Sequence, residues 1–357
     1  MEKTLNKIAG IIGSILLILS LLLIIYIVFL IFTDYEIEDV VTLEVNNNME
    51  ELLPSDTPLT IVTYNAGFGA YSPDYDYVMY GGSGSVANNY TTVVNNLSGG
   101  LDALLSTSPD IIMLQEIDIK STRSHSTSQP TMIERILPNF NSVFSTNINI
   151  KWLAYPFGEM IGRVTSGQLS LSKYHIEEAV RIALPNNNKW YSNILSPDPA
   201  LLVKRMPTDD GDELVLVNLH LINYSSSTAT LNEQLQFIAN FLTEEYEKGN
   251  YVIVGGDFNY LLPLAFDTPK SLPEDAPEWL SAMPNILANL KHYEWVGNPE
   301  IPTVRDKTTP YIQGESYETV VDGFLVSDNV DIISTTTLDL GFEYSAHNPV
   351  VFRFALD

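Results

Sequence analysis

Cysteine is absent from all 357 residues, which removes disulfides, thiolate metal sites and thiol nucleophiles together. Basic side chains are scarce. Eighteen Lys and Arg stand against 44 Asp and Glu, for a formal charge of −26. A protein that binds by neutralising a phosphate backbone clusters its Lys and Arg, and no such run occurs. Non-specific nucleic-acid binding is therefore disfavoured, although a local basic cleft is not. Three motifs are also missing. Without a His-Glu-x-x-His run, a Walker loop or a Gly-x-Ser-x-Gly elbow at a strand–helix junction, the chain gives no support to a zinc protease, a P-loop nucleotide hydrolase or a serine hydrolase. It shows no internal repeat and no second domain.

What the chain does have, at its start, is an apolar run. From Ile8 to Phe32 no side chain is charged, and only Gly10, Gly13, Ser14, Ser20 and Tyr26 interrupt the hydrophobic residues. As a helix this stretch reaches ~38 Å, enough to cross a bilayer core of ~30 Å with some tilt. A cleaved signal peptide has a shorter apolar core and ends in small residues. Here Phe29-Leu30-Ile31-Phe32-Thr33-Asp34 follows, so a retained anchor is expected. Lys3 and Lys7 precede the run, whereas Asp34, Glu36, Glu38 and Asp39 follow it. That asymmetry predicts a single-pass cell-membrane protein with a cytoplasmic N-terminus and an extracellular domain. A disulfide-free exported domain is compatible with a bacterial cell surface.

Residues 34–58, acidic and Asn-rich and ending Pro54-Ser55-Asp56-Thr57-Pro58, read as a tether to a domain over 59–357. Leu59 to Asn65, Ile111 to Glu116, Gln168 to Lys173, Leu214 to Leu221, Val252 to Asn259, Thr319 to Val326 and Asn348 to Phe354 carry strand patterns. A helix is expected from Thr91 to about Leu105. Another is expected over 229–247, where Leu231, Leu235, Ile238, Phe241, Leu242 and Tyr246 recur at helical spacing before Gly249. Residues 70–90 read as a long loop and 260–300 as an insertion of loops with one short helix.

Several of these strand patterns end on a polar residue: Asn65, Glu116, His220 and Asp257, the last followed by Asn259. Each alone suits a solvated rim or a turn. Gathered at one rim of a sheet sandwich, they would supply two carboxylates, two amides and an imidazole, an inventory suited to metal-assisted hydrolysis of a phosphoester. A hard ion such as Mg²⁺ takes oxygen ligands and keeps several waters, so Glu116 can hold it without a dedicated cage.

In their order along the chain, Thr63-Tyr64-Asn65, Leu114-Gln115-Glu116, Ser166-Gly167 through Ser172-Lys173, Asn218-Leu219-His220-Leu221, Gly256-Asp257-Phe258-Asn259, Thr303-Val304-Arg305, Val321-Asp322-Gly323 and Ser345-Ala346-His347-Asn348-Pro349-Val350 resemble the endonuclease/exonuclease/phosphatase family. The resemblance spans residues 59–354. It implies a four-layered α/β/β/α sandwich with two central, mostly antiparallel sheets. It also implies that Glu116 binds Mg²⁺ or Mn²⁺, that Asp257 positions or deprotonates the attacking water, and that Asn65 and Asn259 orient water and phosphate. His220 and His347 would stabilise the transition state, Asp322 would hold the imidazole of His347, and Arg305 would meet the substrate phosphate. The implied partners are a membrane and a phosphoester of nucleic acid, of a phospholipid headgroup or of a small molecule.

The family pattern carries Asp-His where this chain has Ala346-His347, and that Asp commonly serves the metal. Here the metal would rest on Glu116 and waters, or on Asp118, or activity would be weakened. The alternative reading is a catalytically degenerate surface binding module. His125, His175 and His292 read as loop or surface residues.

Overall fold

The computed structural model describes residues 2–34, 38–186, 197–222, 227–264, 272 and 276–356. The apolar run forms α1 (Glu2–Thr33), none of whose residues is buried and which is long and apolar enough to span a membrane. The rest is a sandwich of two sheets. The seven-stranded sheet runs β1 (Val40–Thr42), β6 (Glu178–Ala183), β7 (Ala200–Pro207), β8 (Glu213–His220), β9 (Tyr251–Asp257), β13 (Asp322–Ser327), β10 (Tyr293–Val296). The six-stranded sheet runs β14 (Val330–Thr337), β15 (Val350–Leu356), β2 (Leu59–Asn65), β3 (Ile111–Asp118), β5 (Gly162–Ser172), β4 (Asn141–Leu153). A short ribbon of β11 (Val304–Arg305) and β12 (Glu318–Thr319) stands apart. Among the named strands of the described residues, only the β2–β3 and β8–β9 pairs are parallel.

Side-chain alternation builds the layers. Leu59 and Ile61 of β2, Leu214 and Leu216 of β8, Ile253 of β9 and Phe352 and Phe354 of β15 meet between the sheets. Their neighbours in sequence face outward. Val62, Tyr64, Ile112 and Leu114 pack beneath α2 (Tyr90–Leu105) and α3 (Gln129–Ile136). Val215, Val217, Val252 and Val254 pack beneath Leu235, Ile238 and Leu242 of α4 (Thr228–Glu247) and Leu287 of α5 (Asn285–Ala288). Each such fully buried side chain contributes about 1.5–3 kcal/mol of transfer free energy. The order of layers is α/β/β/α, as expected. Side-chain caps start α2 and α4: Asn89 accepts from the Thr92 N–H and Ser227 from the Thr230 N–H.

Three sequence expectations are refined. Part of the stretch 34–58 is built into the sandwich, because β1 pairs with β6 and Leu53 is fully buried between the sheets. The 70–90 loop is a packed unit in which Tyr71, Tyr75 and Tyr77 are buried around Phe68. In the expected 260–300 insertion, residues 265–271 and 273–275 lie outside the described residues, and the remainder supplies α5 and β10.

The glycines at the end of β9 admit the sandwich itself. A Cβ on Gly255 would overlap Met113 from the opposite sheet and the Phe324 ring of β13. Gly256 has φ +150°, and a Cβ there would run into the Leu219 carbonyl of β8. Because that obstacle is backbone, Gly256→Ala should cost about 3 kcal/mol or more, at the upper end for overpacking. An unchanged urea midpoint would refute this.

Candidate active site

The inward row of each central strand changes from apolar to polar at the same end of the sandwich. On β2 it reads Leu59, Ile61, Thr63, Asn65; on β8, Leu214, Leu216, Asn218, His220; on β9, Tyr251, Ile253, Gly255, Asp257; on β13, running the other way, Val326, Phe324, Asp322. Alternation on β3 would send Glu116 outward with Ile112 and Leu114. A bulge prevents this: Glu116 has φ +52° and the β3–β5 register slips between Leu114 and Ile117. The extra residue re-aims the carboxylate into the rim.

There the Asn65 amide Nδ2 donates to Glu116 Oε1 at 3.1 Å and to Asp257 Oδ2 at 3.0 Å, joining acids from different sheets. His220 Nε2 lies 3.6 Å from Asp257 Oδ2 and 3.8 Å from Glu116 Oε1. His347 Nε2 lies 3.7 Å from the same Asp257 oxygen, and its Nδ1 is 2.9 Å from Asp322 Oδ2. Thr303 Oγ1 accepts from the Val321 and Asp322 N–H groups, which fixes Asp322. Ser345 Oγ donates to the Asn65 carbonyl and accepts from the His347 N–H, tying the two segments together. The cluster opens into a narrow cleft lined by Tyr77, Tyr80, Glu116, Arg123, Asn147, Ile148, Ser166, His220 and Ile222.

No family model matches the sequence, and no curated protein matches it significantly. Solved structures do. An endonuclease/exonuclease/phosphatase from Beutenbergia cavernae superposes at TM-score 0.53 and 16% identity, over 84% of this chain and 72% of its own. TDP2 of D. rerio complexed with a single-strand DNA product gives 0.52 and 16%, over 84% and 99%. ANGEL2, a 2',3'-cyclic phosphatase, gives 0.52 and 12%, over 88% and 98%. The fold is that of the endonuclease/exonuclease/phosphatase family.

On this fold the two central acids have different electrostatics. Burial pushes Glu116 up, but His220, Lys307, Arg123 and the Asn65 hydrogen bond outweigh it and hold the carboxyl below its usual range. Asp257 moves the other way, raised by burial and by Asp322. Separation of this kind lets one acid stay ionised while its neighbour exchanges a proton. Burial lifts Asp322 to about 8 and pushes His347 down to about 3. The hydrogen-bonded pair is thus neutral overall and holds one mobile proton. Whichever partner carries it, His347 presents Nε2–H to the site, and that atom is buried without a hydrogen-bond partner.

Six of the expected residues, Asn65, Glu116, His220, Asp257, Asp322 and His347, converge here. Asn259 flanks the cluster: its N–H donates to Asp257 Oδ1 at 2.8 Å, and its amide Nδ2 is turned to the Leu221 carbonyl. Its N–H thereby braces the Asp257 carboxylate. Arg305 lies outside the cluster. Its buried guanidinium donates to the carbonyls of Asp306, Ser72 and Tyr75, so it pins the aromatic loop. Asp118 is fully buried against Arg123 and Ser124, not exposed, and the ion pair uses both its oxygens. His125 is an exposed loop residue bonded to the Ala87 carbonyl. His175 and His292 pair with Glu177 and Asp328 away from the site.

Lys307 was invisible in the sequence. It is 1% exposed, its Nζ has no hydrogen-bond partner among the described residues, and it sits 4.3 Å above the Tyr80 ring. Its charge acts on Glu116, Asp257, Asp322 and His347 alike. The only sequence signal was its place two residues after Arg305.

Because Arg305 satisfies buried carbonyls, Arg305→Met should lower stability by about 1–3 kcal/mol. Thermal and urea unfolding check this. Full stability with loss of substrate affinity alone would return Arg305 to a substrate-binding role.

Proposed function

We propose that the chain is a membrane-anchored, divalent-metal-dependent phosphoesterase that hydrolyses a phosphodiester or phosphomonoester by water attack at phosphorus. The observation that carries this reading is the rim geometry: Glu116 and Asp257 drawn together by one Asn65 amide, with His220 and His347 Nε2 at 3.6 and 3.7 Å from Asp257 Oδ2. The similar folds of TDP2, solved with a DNA product, and of ANGEL2, a cyclic phosphatase, support the reaction class and keep nucleic acid among the substrates. The apolar α1 and the −26 charge favour a lipid headgroup or small phosphoester.

The residues fit a hard ion. Glu116 is ionised and lines the cleft, and Asp257 adds a second oxygen beside it, so Mg²⁺ or Mn²⁺ would be held by Glu116 with support from Asp257 and waters. When bound, such an ion polarises the phosphoryl group and offsets its developing charge. The ligating atoms of Asp257, Asp322 and His347 also lie within 4.8 Å of one another. The Nδ1 to Oδ2 hydrogen bond engages the latter two, so this trio is a proton relay.

Asp257, with its raised affinity for a proton, takes one from the attacking water, and Asn65 holds the carboxylate in line. His220 and the Nε2–H of His347 face the phosphoryl oxygens as charge builds on them. Lys307, buried against the Tyr80 ring that lines the cleft, adds an ammonium that would meet a phosphate oxygen. Ala346 is buried, with its methyl in the core beneath the helices, so it contributes no ligand. This observation alone favours the second reading, a binding module without turnover.

Purified full-length chain should hydrolyse a phosphodiester, a phosphomonoester, DNA or sphingomyelin only with Mg²⁺ or Mn²⁺ present. Asp257→Ala should reduce kcat/KM by about 10²–10⁴-fold. Absence of metal-dependent turnover across that panel would sink the enzyme reading, and a silent wild type that gains activity with Ala346→Asp would establish the binding module. Lys307→Met should raise KM about tenfold or more through loss of a charged contact. Asp322 has its folded pKa raised, so its proton is present below, and lost above, about pH 8. Activity should therefore fall on the alkaline side near that pH. In Asp322→Asn, which has no carboxyl to titrate, that limb should be displaced; an identical limb in the variant would exclude the pair as its source.

A further inference from the structure

The hairpin joining β4 to β5 ends in aromatic side chains that the domain leaves in the open. Trp152 is 42% exposed, Tyr155 50% and Phe157 98%. The same hairpin touches α1. Tyr26 Oη donates to the Trp152 carbonyl at 3.1 Å and accepts from the Ala154 N–H at 3.0 Å. The described residues of α1 that are partly covered are Tyr26, Leu30 and Thr33, a stripe at i, i+4 and i+7 that faces the domain.

Tyr26 lies six residues inside the apolar run, ~9 Å below Phe32. The run is ~8 Å longer than the ~30 Å bilayer core it would cross. Tyr26, and with it Trp152, therefore falls at or just below the boundary between hydrocarbon and headgroups, the level where Trp and Tyr collect. Charge agrees. The domain is strongly acidic, yet Lys151, Arg163 and Lys120 are exposed around the base of this hairpin, with Arg163 bonded to the Lys120 carbonyl. Glu159, the acid on the tip, is engaged by Ser85. Basic residues flanking exposed aromatics match an anionic lipid surface.

We propose that this hairpin tip inserts into the leaflet that α1 crosses and holds the cleft at headgroup level, so that the substrate is a phosphoester carried by a membrane lipid. The substrate part rests on the phosphoesterase reading; the insertion itself does not. Asn147, Ile148 and Ser166 of the same hairpin line the cleft with Glu116 and His220. From Ile148 to Trp152 is ~13 Å along the strand. A lipid headgroup beside the inserted tip is therefore within reach of the cleft without leaving the bilayer.

The cysteine-free chain lets single spin labels report depth. Full-length protein in nanodiscs of phosphatidylcholine and phosphatidylglycerol would carry Ser20→Cys, Phe157→Cys or Asp331→Cys, the last on β14 at the far edge of the sheet from β4. Labels at 20 and 157 should both lose access to a water-soluble nickel complex and gain access to oxygen, while 331 stays aqueous. A buried label at 20 with an aqueous one at 157 overturns the insertion; aqueous labels at both overturn it together with the anchor. Tyr155→Ser/Phe157→Ser, outside the catalytic residues, should lower turnover of a vesicle-borne phospholipid at least several-fold and leave turnover of a soluble phosphodiester unchanged. Equal loss on both substrates, or none on vesicles, overturns the lipid-substrate assignment. Absence of all turnover in the wild type, with the 157 label still buried, would remove the phosphoesterase reading and the lipid substrate together and leave the insertion standing.

Discussion

One amide holds the site together. The Nδ2 of Asn65 bonds carboxylates from both sheets, Glu116 and Asp257, at 3.1 and 3.0 Å. Two buried acids this close repel unless a donor sits between them, and the bond forms only if the sheets keep their spacing. That spacing is a packing result. It follows from the inter-sheet apolar rows and from Gly255, where Met113 and Phe324 occupy the space a side chain would take. Ser345, bonded to the Asn65 carbonyl, carries the same constraint to His347.

Around that amide the titratable groups are driven apart. Glu116 is held ionised by surrounding positive and polar groups, Asp257 is raised by burial, and Asp322 and His347 share one proton between them. In the proposed phosphoesterase the acid that would hold an ion and the acid that would accept a proton sit side by side, and their surroundings shift them in the directions those roles require. Lys307 completes the balance as a buried cation with no carboxylate of its own.

The sequence alone showed most clearly the apolar runs that end on a polar residue of the site. Strands β2, β3, β8 and β9 fall where their patterns placed them, within two residues. It did not show β4, β6 or β7. In β4 the buried row Asn141, Val143, Ser145 and Asn147 holds one apolar residue among three polar ones, so an apolar alternation never develops. Edge strand β1, only three residues long, owes its form to pairing with β6.

For the site the division is similar. The chain determined which acids, amides and imidazoles were candidates, because strand-end polar residues are a local pattern and their order is a linear one. The tertiary structure decided which of them meet. It turned Glu116 inward through a bulge, sent Arg305 to the carbonyls of the aromatic loop and buried Asp118 against Arg123. It also placed Lys307 where its charge acts on four site residues. A side chain's partners depend on register, bulges and the approach of segments far apart in the chain, and none of these is written in the spacing of residues along it.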